Sequence, residues 1–179
     1  MAIGKKLNGT FRKFIEAQHV FFVATAAPEG RVNLSPKGLD SLRILDDTRI
    51  VWLSLSGSGN ETAAHLLENP RMTLMFMAMA GDPLILRVYG EARVFHPGVD
   101  GWDDHVGRFP AMAGTRNIFE LAIDMVQTSC GSGVPFYDYQ GQRGEDELLP
   151  FYEEMGEEGV QAYWQRKNKL SIDGKPTGL

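Results

Sequence analysis

A polar, glycine-rich segment of this chain lies directly before a predicted helix. It reads Ser56-Gly57-Ser58-Gly59-Asn60-Glu61-Thr62. A loop of this kind exposes backbone N–H groups, and the dipole of the following helix favours a negative charge at its start. No lysine follows the glycines, so the segment is not a P-loop, and its spacing is not that of a dinucleotide fingerprint. A phosphate cradle and a simple helix cap both stay open, and the loop alone favours the cap.

A second polar segment, Asn33-Leu34-Ser35-Pro36-Lys37-Gly38, combines a hydroxyl and an ammonium group. Because side chains alternate along an extended chain, Ser35 and Lys37 are expected on the same side of it. Together they suit an anion or the electron-rich edge of a ring. Pro36 lacks an N–H, which indicates an edge strand or a strand end. The alternative is a solvated lysine in a turn.

Cys130 is the single cysteine, and it lies in the sequence Cys130-Gly131-Ser132-Gly133. No histidine is near it in the sequence, so we expect a buried, unreactive cysteine rather than a nucleophile. The four histidines show no metal-ligand spacing, and no metal site is predicted. Asp103-Asp104-His105 is interpreted as a solvated surface.

The C-terminal segment from Trp164 to Gly174 combines an aromatic ring with several hydrogen-bonding side chains, among them Asn168, Lys169 and Ser171. Such a segment could fold over a ligand. Alternatively it is a helix end whose cations face the negative pole of the helix dipole.

The elements that would position these groups are mostly strands. β-Formers and turn signals predict strands over 19–27, 31–35, 42–45, 49–55, 71–79 and 84–95, with Gly90 as a bulge. Helices are predicted from Asn8 or Thr10 to Gln18 and over 61–68, and later over 99–109, 116–127, 146–154 and 159–169. Residues 134–139 are expected to form a strand or an extended segment. About six strands followed by helices favour an α+β fold or a decorated barrel over a doubly wound sheet.

The composition is that of one ordinary globular domain spanning residues 1–179, with a net charge of −5. An acidic chain argues against general nucleic-acid binding. The most apolar stretch, residues 72–80, is too short to cross a membrane. One cysteine cannot form an internal disulfide, so a cytoplasmic protein is expected.

Several segments, in this order, resemble the pyridoxamine 5′-phosphate oxidase-like split-barrel family. Residues 22–26 and 30–38 resemble its first hairpin, and residues 57–62, 64–66 and 68–71 resemble its cofactor loop, helix and next strand. Residues 86–92 resemble the strand after that. The similarity is good over residues 11–95, and residues 130–135 and 164–174 resemble an uncharacterised branch of the family.

This resemblance implies a six-stranded antiparallel split β-barrel with Greek-key topology, which dimerises and binds flavin mononucleotide (FMN) at the dimer interface. It also implies redox chemistry on a small molecule, but it assigns no catalytic residues. The implied cofactor-binding residues are Ser35, Lys37, Trp52, Ser54, Ser58, Gly59, Asn60, Glu61, Thr62, Trp164, Asn168, Lys169 and Ser171. Trp164 would reach the flavin from the second subunit. A flavin-storing protein without turnover stays open, as does a relative that binds haem or the deazaflavin F420.

Overall fold

One antiparallel sheet dominates the computed structural model, which describes residues 2–179. Its strands are β1 (Ile3–Gly4), β2 (Phe21–Thr25), β3 (Asn33–Lys37), β4 (Leu42–Asp46), β5 (Arg49–Leu55), β6 (Arg71–Met77), β7 (Ile85–Phe95) and β8 (Thr115–Ser129). The spatial order is β3-β2-β6-β7-β8-β5-β4, with β1 also paired to β8. The sheet is not closed, and β3 and β4 are its edges. This arrangement confirms the predicted fold class.

Residues 2–179 form four helices around the sheet. They are α1 (Gly9–Glu16), α2 (Glu61–Glu68), α3 (Trp102–Val106) and α4 (Leu149–Lys167), with a π-helical turn at Gly144–Leu148 before α4. Asn8 caps α1 by accepting a hydrogen bond from the N–H of Phe11. Gly156 interrupts α4 with a φ of 70°, so the two predicted closing helices are found as two parts of one element.

The main core lies on one face of the sheet and is built by strand alternation. In β2 the residues Phe21, Val23 and Thr25 are buried while their neighbours are half-buried. Trp52 and Phe119, from the paired strands β5 and β8, stack with ring centroids 4.3 Å apart. A smaller apolar cluster lies on the other face of β5 and β8, where α3 covers it.

Strand β8 corrects the predicted helix over residues 116–127. An apolar run of this length fits either period when read alone. In the folded chain it pairs with β5 on one side and β7 on the other. Ile118, Leu121 and Ile123 are buried there, and the backbone hydrogen bonds of two neighbouring strands decide its conformation.

The remaining differences concern short elements. The structure adds β1, which the sequence did not predict, so the described chain has eight strands rather than about six. The predicted helix over 99–109 is reduced to the five residues of α3, and residues 134–139 form no strand. The predicted bulge at Gly90 is confirmed by a register shift between Tyr89 and Gly90. A Cβ atom at Gly90 would lie 1.9 Å from the carbonyl oxygen of Ala122, which is why only glycine fits.

Candidate functional site

A cavity of about 390 Å³ opens between the edge strand β3, the end of β5 and the start of α2. Its volume lies within the usual range for small-molecule sites. It is lined by Asn33, Ser35, Pro36, Lys37, Gly38, Leu39, Ser41, Leu53, Ser54, Leu55, Ser56, Gly57, Ser58, Gly59, Asn60, Glu61, Thr62, Arg116, Phe119 and Leu148. The two polar segments identified in the sequence therefore form opposite walls of one cavity.

Strand alternation supplies the first wall. Asn33, Ser35 and Lys37 are the half-buried residues of β3, and all three line the cavity. The hydroxyl oxygen of Ser35 is buried and has no hydrogen-bond partner among the described residues. Lys37 Nζ lies 5.5 Å from the ring centroid of Trp52. Burial, and after it the charge of Arg116, lowers the pKa of Lys37 to about 8.

Arg116 is the cation that the sequence analysis missed. It is 4% exposed at the start of β8, and burial lowers its pKa to about 10, so it stays charged at neutral pH. Its Nη1 donates to the carbonyl oxygen of Gly59 at 2.9 Å and to Oδ1 of Asn168 at 2.7 Å. Its Nε is buried without a partner among residues 2–179. One signal in the sequence could have indicated its place: residues 115–128 are rich in β-branched residues, which favour a strand over the predicted helix.

The start of α2 forms the second wall. Asn60 occupies the N-cap position, but its side chain makes no capping hydrogen bond, so the cap interpretation does not describe this residue. Its Oδ1 instead accepts from Nδ2 of Asn117 at 2.8 Å. The Asn60 side-chain nitrogen is buried with no partner in the described chain. Donors of this kind, beside a helix start and two cations, suit an anion.

Thr62 is held by a second polar network. Asn33 Nδ2 donates to the hydroxyl oxygens of Thr62 at 3.1 Å and Thr25 at 3.3 Å. Thr25 is hydrogen-bonded in turn to Nδ1 of His65, which is 1% exposed. These bonds tie the first turn of α2 to β2 and β3, and so fix the width of the cavity at this end.

The C-terminal segment docks on the glycine-rich loop of its own chain. Asn168 is fully buried, and its Nδ2 donates to the carbonyl oxygen of Gly57 at 2.8 Å. Because N–H and C=O point in opposite directions across a trans peptide, this bond turns the N–H of Ser58 away from Asn168. Trp164 Nε1 donates to the hydroxyl of Ser56 at 2.6 Å.

Glu61 anchors the next part of this segment. Its carboxylate accepts from the backbone N–H of Ile172 at 3.0 and 3.1 Å. Lys175 Nζ donates to Glu68 at 2.6 and 2.8 Å, and Asp173 is paired with Arg31 on the first hairpin. Residues 168–177 therefore close over the outside of the loop and α2.

The predicted cofactor residues fall into two groups. Those lining the cavity are Ser35, Lys37, Ser54, Ser58, Gly59, Asn60, Glu61 and Thr62, whereas Trp52, Trp164, Asn168, Lys169 and Ser171 do not line it. Trp52 packs behind Lys37 in the core. Trp164 and Asn168 contact the loop from behind. Ser171 is buried in a turn closed by Lys175, and Lys169 is exposed.

The structure contradicts the predicted environment of two residues outside the cavity, Cys130 and His105. Cys130 is exposed rather than buried. Its hydrogen bond with the hydroxyl of Ser132 lowers the pKa of the thiol, and a hydrogen bond from the Ser132 N–H lowers it to a lesser extent. The turn after β8 carries Cys130 out of the sheet. Asp103 and Asp104 are exposed as expected, but His105 is 7% exposed, with its ring centroid 4.8 Å from that of Phe95, because it lies on the side of α3 that packs on the sheet.

An open antiparallel sheet with this strand order, and with a cavity at its edge, defines a protein of the split-barrel class. The family described as pyridoxamine 5′-phosphate oxidase matches residues 7–130 of the chain. The chain belongs to the pyridoxamine 5′-phosphate oxidase family.

Three known proteins illustrate the similarity. The pyridoxamine 5′-phosphate oxidase family protein ustO of Aspergillus flavus is 32% identical over 189 residues, covering 96% of this chain and 76% of ustO. A putative pyridoxamine 5′-phosphate oxidase from Lactobacillus delbrueckii superposes with a TM-score of 0.52 at 19% identity, covering 69% of this chain and 99% of its own. HutZ, the haem storage protein from Vibrio cholerae, superposes with a TM-score of 0.50 at 15% identity, covering 71% of this chain and 98% of HutZ. The two structures share the fold.

Residues 2–179 lack the features of two other kinds of site. None of the helices there has the length and apolar character needed to pass through a bilayer. The same residues hold no cluster of three or more histidine, cysteine, aspartate or glutamate side chains able to bind a metal ion.

Proposed function

We propose that this protein binds FMN in the cavity between β3 and α2 and acts as a flavin-dependent oxidoreductase on a small molecule. The observation that carries the proposal is that Arg116 and Asn60, which line the same cavity, each hold a buried side-chain donor, Nε and Nδ2, that has no partner among residues 2–179. Buried polar groups normally have partners. Donors left without one fit a phosphate group, which would accept from both.

The rest of the cavity fits the proposal as well. Backbone N–H groups at the start of α2 and the hydroxyl of Thr62 would bind the phosphate, with Arg116 supplying charge. Lys37 and Ser35 would lie along the ring, where Lys37 is placed to hold a proton or a positive charge at its edge. FMN itself would supply the electron transfer, while the protein binds and orients it and excludes water.

A second candidate ligand, haem, follows from the fold shared with HutZ. Haem iron is usually held by His, Cys, Met or Tyr side chains. The described residues that line the cavity include none of these types. Phosphate donors without an axial ligand favour FMN over haem, and F420, which also carries phosphate, is the remaining alternative.

The proposed assembly is a homodimer. Leu34 is 65% exposed on the edge strand β3, and Val32 just before it is 73% exposed. Alternate residues of the same strand line the cavity. A second copy packed on this outer face would bury exposed apolar surface beside the cofactor. A cytoplasmic location is part of the same proposal, because the single cysteine cannot form an internal disulfide.

The deciding experiment is the absorption spectrum of the protein as purified, with mass spectrometry of any small molecule that it releases. We expect FMN, or uptake of added FMN by colourless protein. A haem spectrum, released F420, or failure to bind any flavin would overturn the proposal. Incubation with NADPH and an electron acceptor then separates an oxidoreductase from a storage protein, since storage gives no sustained turnover.

A variant links the bound flavin to this cavity. Arg116→Met removes the buried charge at similar volume, and we expect a loss of FMN affinity of about 10- to 100-fold, as for hydrogen bonds to charged groups. Arg87→Met is the matched control, because Arg87 lies on β7 and donates to Ser129 outside the cavity. Equal FMN affinity in both variants would place the flavin elsewhere.

A further inference from the structure

Three side chains form a continuous row of hydrogen bonds that ends at the cavity. Nδ1 of His96 lies 3.0 Å from Oδ1 of Asn117, and Nδ2 of Asn117 donates to Oδ1 of Asn60 at 2.8 Å. Asn117 is fully buried and Asn60 is 3% exposed. Of the three, Asn60 is the one that lines the cavity.

The row has a defined direction. Since the nitrogen of the Asn117 amide donates to Asn60, its oxygen is left to accept from the ring of His96. His96 must then carry its proton on Nδ1. Burial lowers the pKa of His96, the hydrogen bond with Asn117 raises it, and the charge of Arg116 lowers it further. The net effect is a lowered pKa, so the ring is neutral at neutral pH. Its Nε2 is buried and has no partner within residues 2–179.

This direction determines what the cavity receives from Asn60. Its oxygen is occupied by Asn117, so only its nitrogen, a donor, remains for a ligand. If His96 carried its proton on Nε2 instead, Asn117 would turn its nitrogen toward Nδ1 and its oxygen toward Asn60. Asn60 would then donate to Asn117 and present its oxygen, an acceptor, to the cavity. A phosphate group binds the first arrangement and is repelled by the second.

We propose that His96 is a positioning residue, which acts through Asn117 to hold the amide of Asn60 as a donor to the phosphate group of the bound cofactor. The inference rests on the proposed function, because it assumes a phosphorylated ligand. It adds a role for two residues, His96 and Asn117, that do not line the cavity. Aligned amide dipoles also strengthen one another, so the terminal donor is stronger than an isolated amide.

Variants of His96 test the inference through a ratio of affinities. His96→Leu cannot donate to Asn117, and we expect FMN affinity to fall about tenfold, which corresponds to one hydrogen bond to a charged group. Riboflavin lacks the phosphate, so its affinity should change by less than about twofold under the same argument. His96→Gln has a side-chain donor and should restore FMN binding. Equal losses for FMN and riboflavin, or no rescue, would overturn the positioning role.

A matched control separates the row from general effects of amide changes. Asn117→Asp cannot donate to Asn60 and should also lower the ratio of FMN to riboflavin affinity. Asn69→Asp makes the same change at a turn after α2, where Asn69 Nδ2 donates to the carbonyl oxygen of Ala26. This control should leave the ratio unaltered, and a lowered ratio in it would count against the inference.

The ring of His96 provides a test on the unaltered protein. ¹⁵N NMR distinguishes a protonated ring nitrogen from an unprotonated one, and we expect the proton on Nδ1 with inorganic phosphate or FMN present. A proton on Nε2 would refute the row's direction. If the protein binds no flavin but shows the Nδ1 proton with phosphate, the proposed function fails and the inference about the phosphate donor survives.

Discussion

Nη1 of Arg116 lies 2.7 Å from Oδ1 of Asn168, and this hydrogen bond joins the sheet to the C-terminal segment. The two residues are 52 positions apart and both are buried. Through them two carbonyl oxygens of the glycine-rich loop, those of Gly57 and Gly59, are held from behind. The loop is therefore held by groups outside it, through two hydrogen bonds that use none of its N–H groups.

Asn168→Ala should loosen this loop. The change leaves the Gly57 carbonyl and one donor of Arg116 without a partner, and we expect the free energy of unfolding to fall by about 1–3 kcal/mol. Amide hydrogen exchange over residues 56–60 should become faster. Lys169→Ala, at the exposed neighbouring side chain, should change stability by less than about 0.5 kcal/mol. Unchanged exchange in Asn168→Ala would show that the segment does not hold the loop.

FMN binding should weaken as pH rises through about 8. Lys37 is charged below its lowered pKa of about 8 and neutral above it, whereas a phosphate monoester is already doubly charged above its second pKa of about 6. Arg116 keeps its charge in this range, because its pKa is about 10. Affinity titrations between about pH 7 and 9 should show a decline that Lys37→Met lacks. The same decline in Lys37→Met would show that the pH dependence of FMN affinity comes from a group other than Lys37.

The same pKa has a second consequence, for stability without a ligand. Between about 8 and the ordinary value of 10.5, the unfolded chain holds a proton at Lys37 that the folded chain has released. The free energy of unfolding therefore rises with pH in this window as far as Lys37 contributes. Urea denaturation of the protein and of Lys37→Met should differ in this slope, and equal slopes would contradict the lowered pKa.

Leu34→Lys should dissociate the proposed homodimer. A charged side chain at the exposed position of β3 would have to be buried in the interface, and charges near an edge strand prevent pairing. Sedimentation velocity should show monomers, with weaker FMN binding. Val99→Lys, at another exposed apolar residue, is the control. A monomeric unaltered protein would refute the dimer, and a dimeric Leu34→Lys protein would place the interface elsewhere.

Gly90→Ala should destabilise the fold itself. Its Cβ would meet the carbonyl oxygen of Ala122 at 1.9 Å, and overpacking of this kind costs about 1–3 kcal/mol or more. Gly107→Ala is the matched control, since its φ is −65° and a Cβ there meets nothing within 4 Å. Urea denaturation measures both. A Gly90→Ala protein as stable as the control would contradict the close approach of β7 and β8.

Local signals in the sequence predicted the walls of the cavity. Alternation along residues 33–37 places Ser35 and Lys37 on one side of β3, and the structure has them there. The polar loop and apolar spacing before Asn69 predicted α2 with its correct bounds, Glu61–Glu68. These features depend on neighbours a few residues apart, so periodicity and turn chemistry suffice to identify them.

Only the tertiary structure brought residues from distant parts of the chain to the cavity. The β-branched residues of 115–128 favour a strand, but the apolar run also fits a helix, and the hydrogen bonds that β5 and β7 offer on both sides decide for the strand. That choice brings Arg116 to the cavity and Asn117 to Asn60. The contacts of Asn168 with Gly57 span 111 positions. A sequence read locally contains no signal for partners so far apart, since their energies appear only when the chain has folded.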